Sequence, residues 1–206
     1  MSWGTLAYGV AVGASLAIAV IALGLAKARG GRPDVELSLA LVGLSAAAAS
    51  VSMLALQSSV SVDEYASAIH GHFAVTGLVT LAALAWLVGA ITRQGWPRVP
   101  LVLTVVAVVV GVVNAATPTG LIVDEVTSLR QVSLLGESFV LHEPNRPPLR
   151  LVLDAYLVAL LVYVVGSLVR YGRRGPAFRA LAAALLLLLA AVLYDSLVDE
   201  GLVDTA

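Results

Sequence analysis

Apolar positions in this chain come in long unbroken runs rather than in the alternations of a water-facing strand or helix. Residues 1–26, 37–62, 73–92, 99–123, 155–169 and 180–194 carry no Asp, Glu, Lys or Arg. A hydrocarbon core of about 30 Å takes about 20 helical residues to cross. The first four runs reach that length unaided. The last two are 15 residues each and become full spans once 151–154 and 176–179 are included. The pattern predicts an all-α membrane protein, a polytopic bundle with six transmembrane helices at about 3–26, 36–60, 66–92, 98–117, 149–170 and 176–196, in one domain covering 1–206. The fourth stretch is rich in valine, which in water would favour a strand. In lipid each backbone group must bond within its own segment, so a helix is expected.

Between spans four and five lies the longest extramembrane segment, an outer loop over about 118–148. Residues 126–142 alternate loosely between apolar and polar side chains, with Gly136-Glu137 near the centre. That alternation predicts a short extracytoplasmic β-hairpin. Pro144, Pro147 and Pro148 then interrupt regular structure before span five. The segment is too small to be a domain but large enough to cap a bundle.

Composition agrees with a membrane solvent: 60% of residues are hydrophobic, mean hydropathy is +0.97, and 12% are charged. The placement of the charges adds orientation. Lys27, Arg29 and Arg32 follow span one, Arg93 and Arg98 separate spans three and four, and Arg170, Arg173, Arg174 and Arg179 separate spans five and six. These loops share one face, and only Arg130, Arg146 and Arg150 lie opposite. The positive-inside rule makes the cation-rich face cytoplasmic and the N-terminus external, in what is expected to be a prokaryotic plasma membrane. Most acids fall at or beyond the outer ends; Asp34 and Glu36 are the exceptions. A cleaved signal carries its cations before the apolar stretch. Here they come after it, so the first span is expected to be a retained anchor. Six crossings from an external N-terminus end outside, and a further segment crossing back is expected. The basic face is topogenic and gives no reason to expect a nucleic-acid partner.

Small residues recur where helices could approach closely: Gly9, Gly13 and Ala17 on span one, and Gly43 with the run 45–50 on span two. Packing within the bundle is the expected role, with a homodimer or membrane-protein partner face as the alternative. Polar residues inside spans are costly and are functional candidates by default. His70, His72, Asn114, Asp154, Tyr156 and Asp195 all fall in the outer third of the bilayer and are the candidate ligand-binding residues, with the hairpin as a lid. The alternative is that each sits separately at the headgroup boundary. His72, Thr76 and Thr80 would form a polar stripe along span three, although threonines also bond to their own helix carbonyls.

Other chemistries lack their residues. The chain has no cysteine, which removes disulfides and thiolate chemistry. The sole lysine, Lys27, is at a helix end, so a retinal Schiff base is not expected. The histidines do not form paired axial sites for haem, and His70 and His72 point about 200° apart on a helix. No metal, cofactor or catalytic residue is expected. All prolines lie at or beyond span ends, without the mid-membrane breaks of many transporters.

The order of features nevertheless resembles the N-terminal seven-transmembrane sensor module of prokaryotic receptor histidine kinases and related signalling proteins. The resemblance rests on a histidine followed by an aliphatic stretch and Trp86 over 66–86; on Asn114-Ala115-Ala116-Thr117-Pro118; on Gly136-Glu137; on residues 163–174, a span ending in basic residues; and on Tyr194-Asp195-Ser196-Leu197-Val198-Asp199-Glu200-Gly201-Leu202. It implies a non-enzymatic membrane receptor segment that detects an extracytoplasmic small molecule or membrane-dissolved signal and relays it to a cytoplasmic effector. The family's seventh helix and effector do not appear in this sequence. The alternatives are an accessory or structural subunit of a membrane complex, and a small transporter or channel.

Overall fold

The computed structural model describes residues 3–29, 33–70, 74–92, 98–117, 129–134, 137–142 and 150–171, together with Val126 and Ala183. The helices are α1 (Trp3–Arg29), α2 (Pro33–Ser58), α3 (Val62–Ala68), α4 (Ala74–Thr92), α5 (Arg98–Ala116) and α6 (Arg150–Tyr171). Four stretches, Thr5–Lys27, Asp34–Ser58, Val75–Thr92 and Arg98–Ala116, are long and apolar enough to cross a membrane. α6 contributes a shorter apolar stretch, Leu151–Ser167. The sixth expected span, 176–196, lies outside the described residues apart from Ala183. Among the described residues the protein is thus mainly helical with four candidate spans, and its apolar helices mark it as an integral membrane protein.

Two short strands, β1 (Leu129–Leu134) and β2 (Glu137–His142), pair antiparallel, with Leu129 opposite His142 and Leu134 opposite Glu137. The connection at 135–136 lies outside the described residues.

Hydroxyls within the spans bond to their own helices, as a solvent without water requires. Ser45 donates to the Val42 carbonyl at 3.1 Å, Ser50 to Ala46 at 2.9 Å and Ser52 to Ala48 at 3.0 Å. The serine run of α2 is thus self-satisfied. Thr80 likewise donates to the Thr76 carbonyl at 2.8 Å, which removes it from the expected polar stripe; His72 lies outside the described residues.

Close helix approach occurs at Gly43, one of the expected small residues, but not at Gly9 and Gly13. A Cβ on Gly43 would stand 2.7 Å from the Ser15 carbonyl oxygen and 3.1 Å from Ala19, so α1 and α2 meet at Gly43. Ala19 and Ala22 are the buried face of α1. Gly9, Gly13 and Ala17 are exposed, and a Cβ on either glycine would meet nothing within 4 Å. The expectation that this stripe packs within the bundle is corrected: the α1 helix turns its Ser15–Ala19–Ala22 side to α2, which leaves the Gly9–Gly13 side about 130° away.

α4 is the central helix, packed against α2, α5 and α6. Its partners on α5 run in reverse order: Gly111 faces Leu78, Thr104 faces Trp86 and Pro100 faces Gly89, so the two helices are antiparallel. The Tyr163 hydroxyl of α6 fills the notch at Gly89, 3.1 Å from the position of a Cβ there. The core joins Leu78, Ala82, Ala85 and Val88 of α4 with Leu103 and Ala107 of α5 and Tyr156, Leu160 and Val164 of α6. The last three are four residues apart and make one stripe.

Trp86 donates its indole N–H to the Thr104 hydroxyl at 2.8 Å, while Thr104 donates to its own Pro100 carbonyl at 2.8 Å. Interhelical bonds of this kind average about 0.6 kcal/mol in membrane proteins. A double-mutant cycle of Trp86→Phe and Thr104→Val, read by unfolding in detergent, is expected to show coupling of about that size. Strictly additive losses would mean the bond contributes nothing to the α4–α5 interface.

Candidate functional site

The expected third span, 66–92, is divided. Ser61 starts a separate helix, α3, four residues before the predicted span begins to be apolar. Its backbone is extended at φ −130° and ψ 158°, and its hydroxyl accepts from the Glu64 N–H at 3.3 Å. Glu64 reaches back, accepting from the Val60 N–H at 3.0 Å. Ser61 thus caps the helix by satisfying the Glu64 N–H, one of the donors a helix start leaves free, and Glu64 ties down the residue before the cap in a variant of the capping box. The signal is present in the sequence, between the spans expected at 36–60 and 66–92. Ile69 and His70, which follow α3, have π geometry, and 71–73 lie outside the described residues.

α3 folds back on the end of α2. Tyr65, Ala68 and Ile69 form a second apolar cluster with Leu56 and Val126, flanked by Met53 and Leu129. An open groove of about 630 Å³ runs along this junction, lined by Ala55, Ser58, Ser59, Asp63, Glu64, Ser67 and Ala68. Ser58 and Ser59 both donate to the Ala55 carbonyl, at 3.1 and 2.9 Å.

Of the expected ligand-binding residues, the structure brings His70 and Asn114 together. Asn114, in the last turn of α5, is 1% exposed, and its Nδ2 donates to the His70 carbonyl at 3.2 Å. The contact is to backbone rather than to the imidazole. Tyr156 is buried in the core of α4, α5 and α6, and among the described residues its hydroxyl has no hydrogen-bond partner. Asp154 is half-buried on the same helix, two residues before Tyr156 and therefore on a different side of α6. His72 and Asp195 lie outside the described residues. Among the described residues no group of three or more His, Cys, Asp or Glu is arranged to hold a metal ion.

The His70 side chain lies outside the four candidate spans and is half-buried. Burial lowers its pKa below the ordinary 6.5, because the charged imidazolium loses solvation. The unfolded chain therefore binds this proton first as pH falls. The folded state has its full stability above about 6.5 and loses part of it as pH drops through the lowered folded value. Thermal unfolding in detergent from pH 8 to pH 5 is expected to show this decline, reduced in His70→Gln. Equal slopes for the two chains would place the acid sensitivity elsewhere.

Comparison with protein families, curated proteins and solved structures finds no match to this chain.

Proposed function

We propose that this chain is a membrane sensor module that receives an extracytoplasmic or membrane-dissolved signal and passes it to a cytoplasmic effector. The observation that carries the reading is the joint between His70 and Asn114. It ties the residue two positions beyond α3 to the buried last turn of α5, and α3 itself supplies Asp63, Glu64 and Ser67 to an open groove with the end of α2. The signal would bind one arrangement of that joint more tightly than another and shift the balance between them. Support also comes from the order of sequence features resembling receptor histidine kinase modules. The cation distribution supports an orientation with the N-terminus, the groove, the α5 end and the β1–β2 pair outside.

Two measurements test this. Single cysteines introduced at Val60 and at Arg98, in a chain with none of its own, are probed in intact cells with an impermeant reagent. Val60 is expected to label and Arg98 to be protected; the reverse would invert the assigned orientation. Reading the frame beyond Ala206 is expected to reveal a returning helix and an effector. A stop codon there would favour the accessory-subunit reading, which the exposed Gly9–Gly13 side of α1 also suits.

A further inference from the structure

Among the described residues the buried side chains form two apolar clusters, and the buried members of the two come from different helices. One gathers the end of α2, α3 and Val126; the other gathers α4, α5 and α6. We propose that Asn114 is a coupling latch, its carboxamide tying the α2–α3 cap to the α4–α5–α6 bundle through the His70 carbonyl. The relay role deepens the sensor reading and rests on it.

Three observations converge on this residue. The π residues Ile69 and His70 follow α3, a departure from α geometry that often marks a functional position. Asn114 supplies one donor to the His70 carbonyl across 44 positions of sequence, from a different helix. It does so from a site 1% exposed, where a carboxamide is costly unless it is bonded. A hydrogen bond so enclosed is either made or broken, with little between. Displacing α3 along the end of α2 would break it and leave polar groups exposed at the end of α5. Made in one arrangement and lost in another, the bond would be the two-state element whose balance both the cap and the bundle bias.

Hydrogen exchange measured by mass spectrometry on the full chain in lipid nanodiscs tests the latch. Asn114→Leu keeps the volume and removes the donor. It is expected to speed exchange of the Val62–Ala68 amides about tenfold while the middle turns of α4 and α5 keep their wild-type rates. Asn114→Gln, which retains a carboxamide, is expected to restore much of the protection. Wild-type rates for α3 in Asn114→Leu would overturn the latch. So would equal acceleration in α3, α4 and α5, since Asn114 would then only fill space. If Asn114→Leu does not assemble, the wild type decides: α3 and the last turn of α5 should open together, and opening of α3 alone would refute the coupling. The readout needs neither signal nor effector. Its failure therefore leaves the sensor reading to be judged on orientation and reading frame.

Discussion

Gly43→Leu is expected to separate α1 from α2 and to cost about 1–3 kcal/mol or more, as overfilled packing does. The reason is what stands in the way. The Cβ would lie 2.7 Å from a backbone oxygen, that of Ser15, and 3.1 Å from the Ala19 nitrogen and Cβ. Backbone atoms cannot rotate aside as a side chain can, so the helices themselves must move. Even Gly43→Ala should destabilise, although alanine gains about 1 kcal/mol in helix propensity over glycine. Gly13→Ala is the matched control. Its Cβ meets nothing within 4 Å, so the propensity gain should appear as neutral or increased stability. Reversible unfolding in mixed micelles measures both. Equal effects at the two glycines would show that α1 does not pack on α2 at Gly43.

The second large effect is expected at Leu160, which is 0% exposed between α4 and α5. Leu→Ala changes in soluble cores cost about 2–5 kcal/mol, through lost transfer energy and the cavity left behind. In a bilayer the transfer part is small, because lipid tails are as apolar as leucine. The cavity part remains, so Leu160→Ala should fall near the lower end, about 2 kcal/mol. Val162→Ala, on a face 66% exposed, should change stability by less than about 0.5 kcal/mol. A loss at Val162 equal to that at Leu160 would mean the α6 stripe is assigned to the wrong side.

What the sequence makes legible here is length and depth. The apolar runs locate α1, α2, α4, α5 and α6 because spanning helices are specified by how far hydrophobicity continues. Rotation is not specified in the same way. Valines at 102, 105, 108 and 109 are exposed on α5, while Leu103 and Ala107 on the same helix are buried. All six are apolar, so periodicity cannot tell them apart. The same blindness put Gly9 and Gly13 in the interior and left Gly43 as one small residue among several. α3 was missed for a different reason. Its start is announced by Ser61 and Glu64, but a charge-free reading treats the acids at 63 and 64 merely as the end of a gap. Of the candidate site, Asn114 was identified by its cost in a span. Its partner being the carbonyl of His70 rather than the ring depends on where α3 ends, which no side-chain inventory reveals.

The central place of α4 has a consequence for how the protein is made. α1 lies against α2, α4 lies against α2, and α5 and α6 both lie against α4. Each new helix thus finds its main partner among segments already synthesised. The first pair can settle as a hairpin while the rest is still on the ribosome, and later helices add to an existing surface rather than waiting for a distant one. Contacts of short sequence separation form fastest, and chain order and assembly order coincide. Asn114 follows the same order on a longer reach, meeting His70 after α4 has intervened, and Tyr163 of α6 reaches further back still, to Gly89. The seat of α6 on α4 would then be the last part of the described structure to mature, and the first that a slow or interrupted synthesis leaves open.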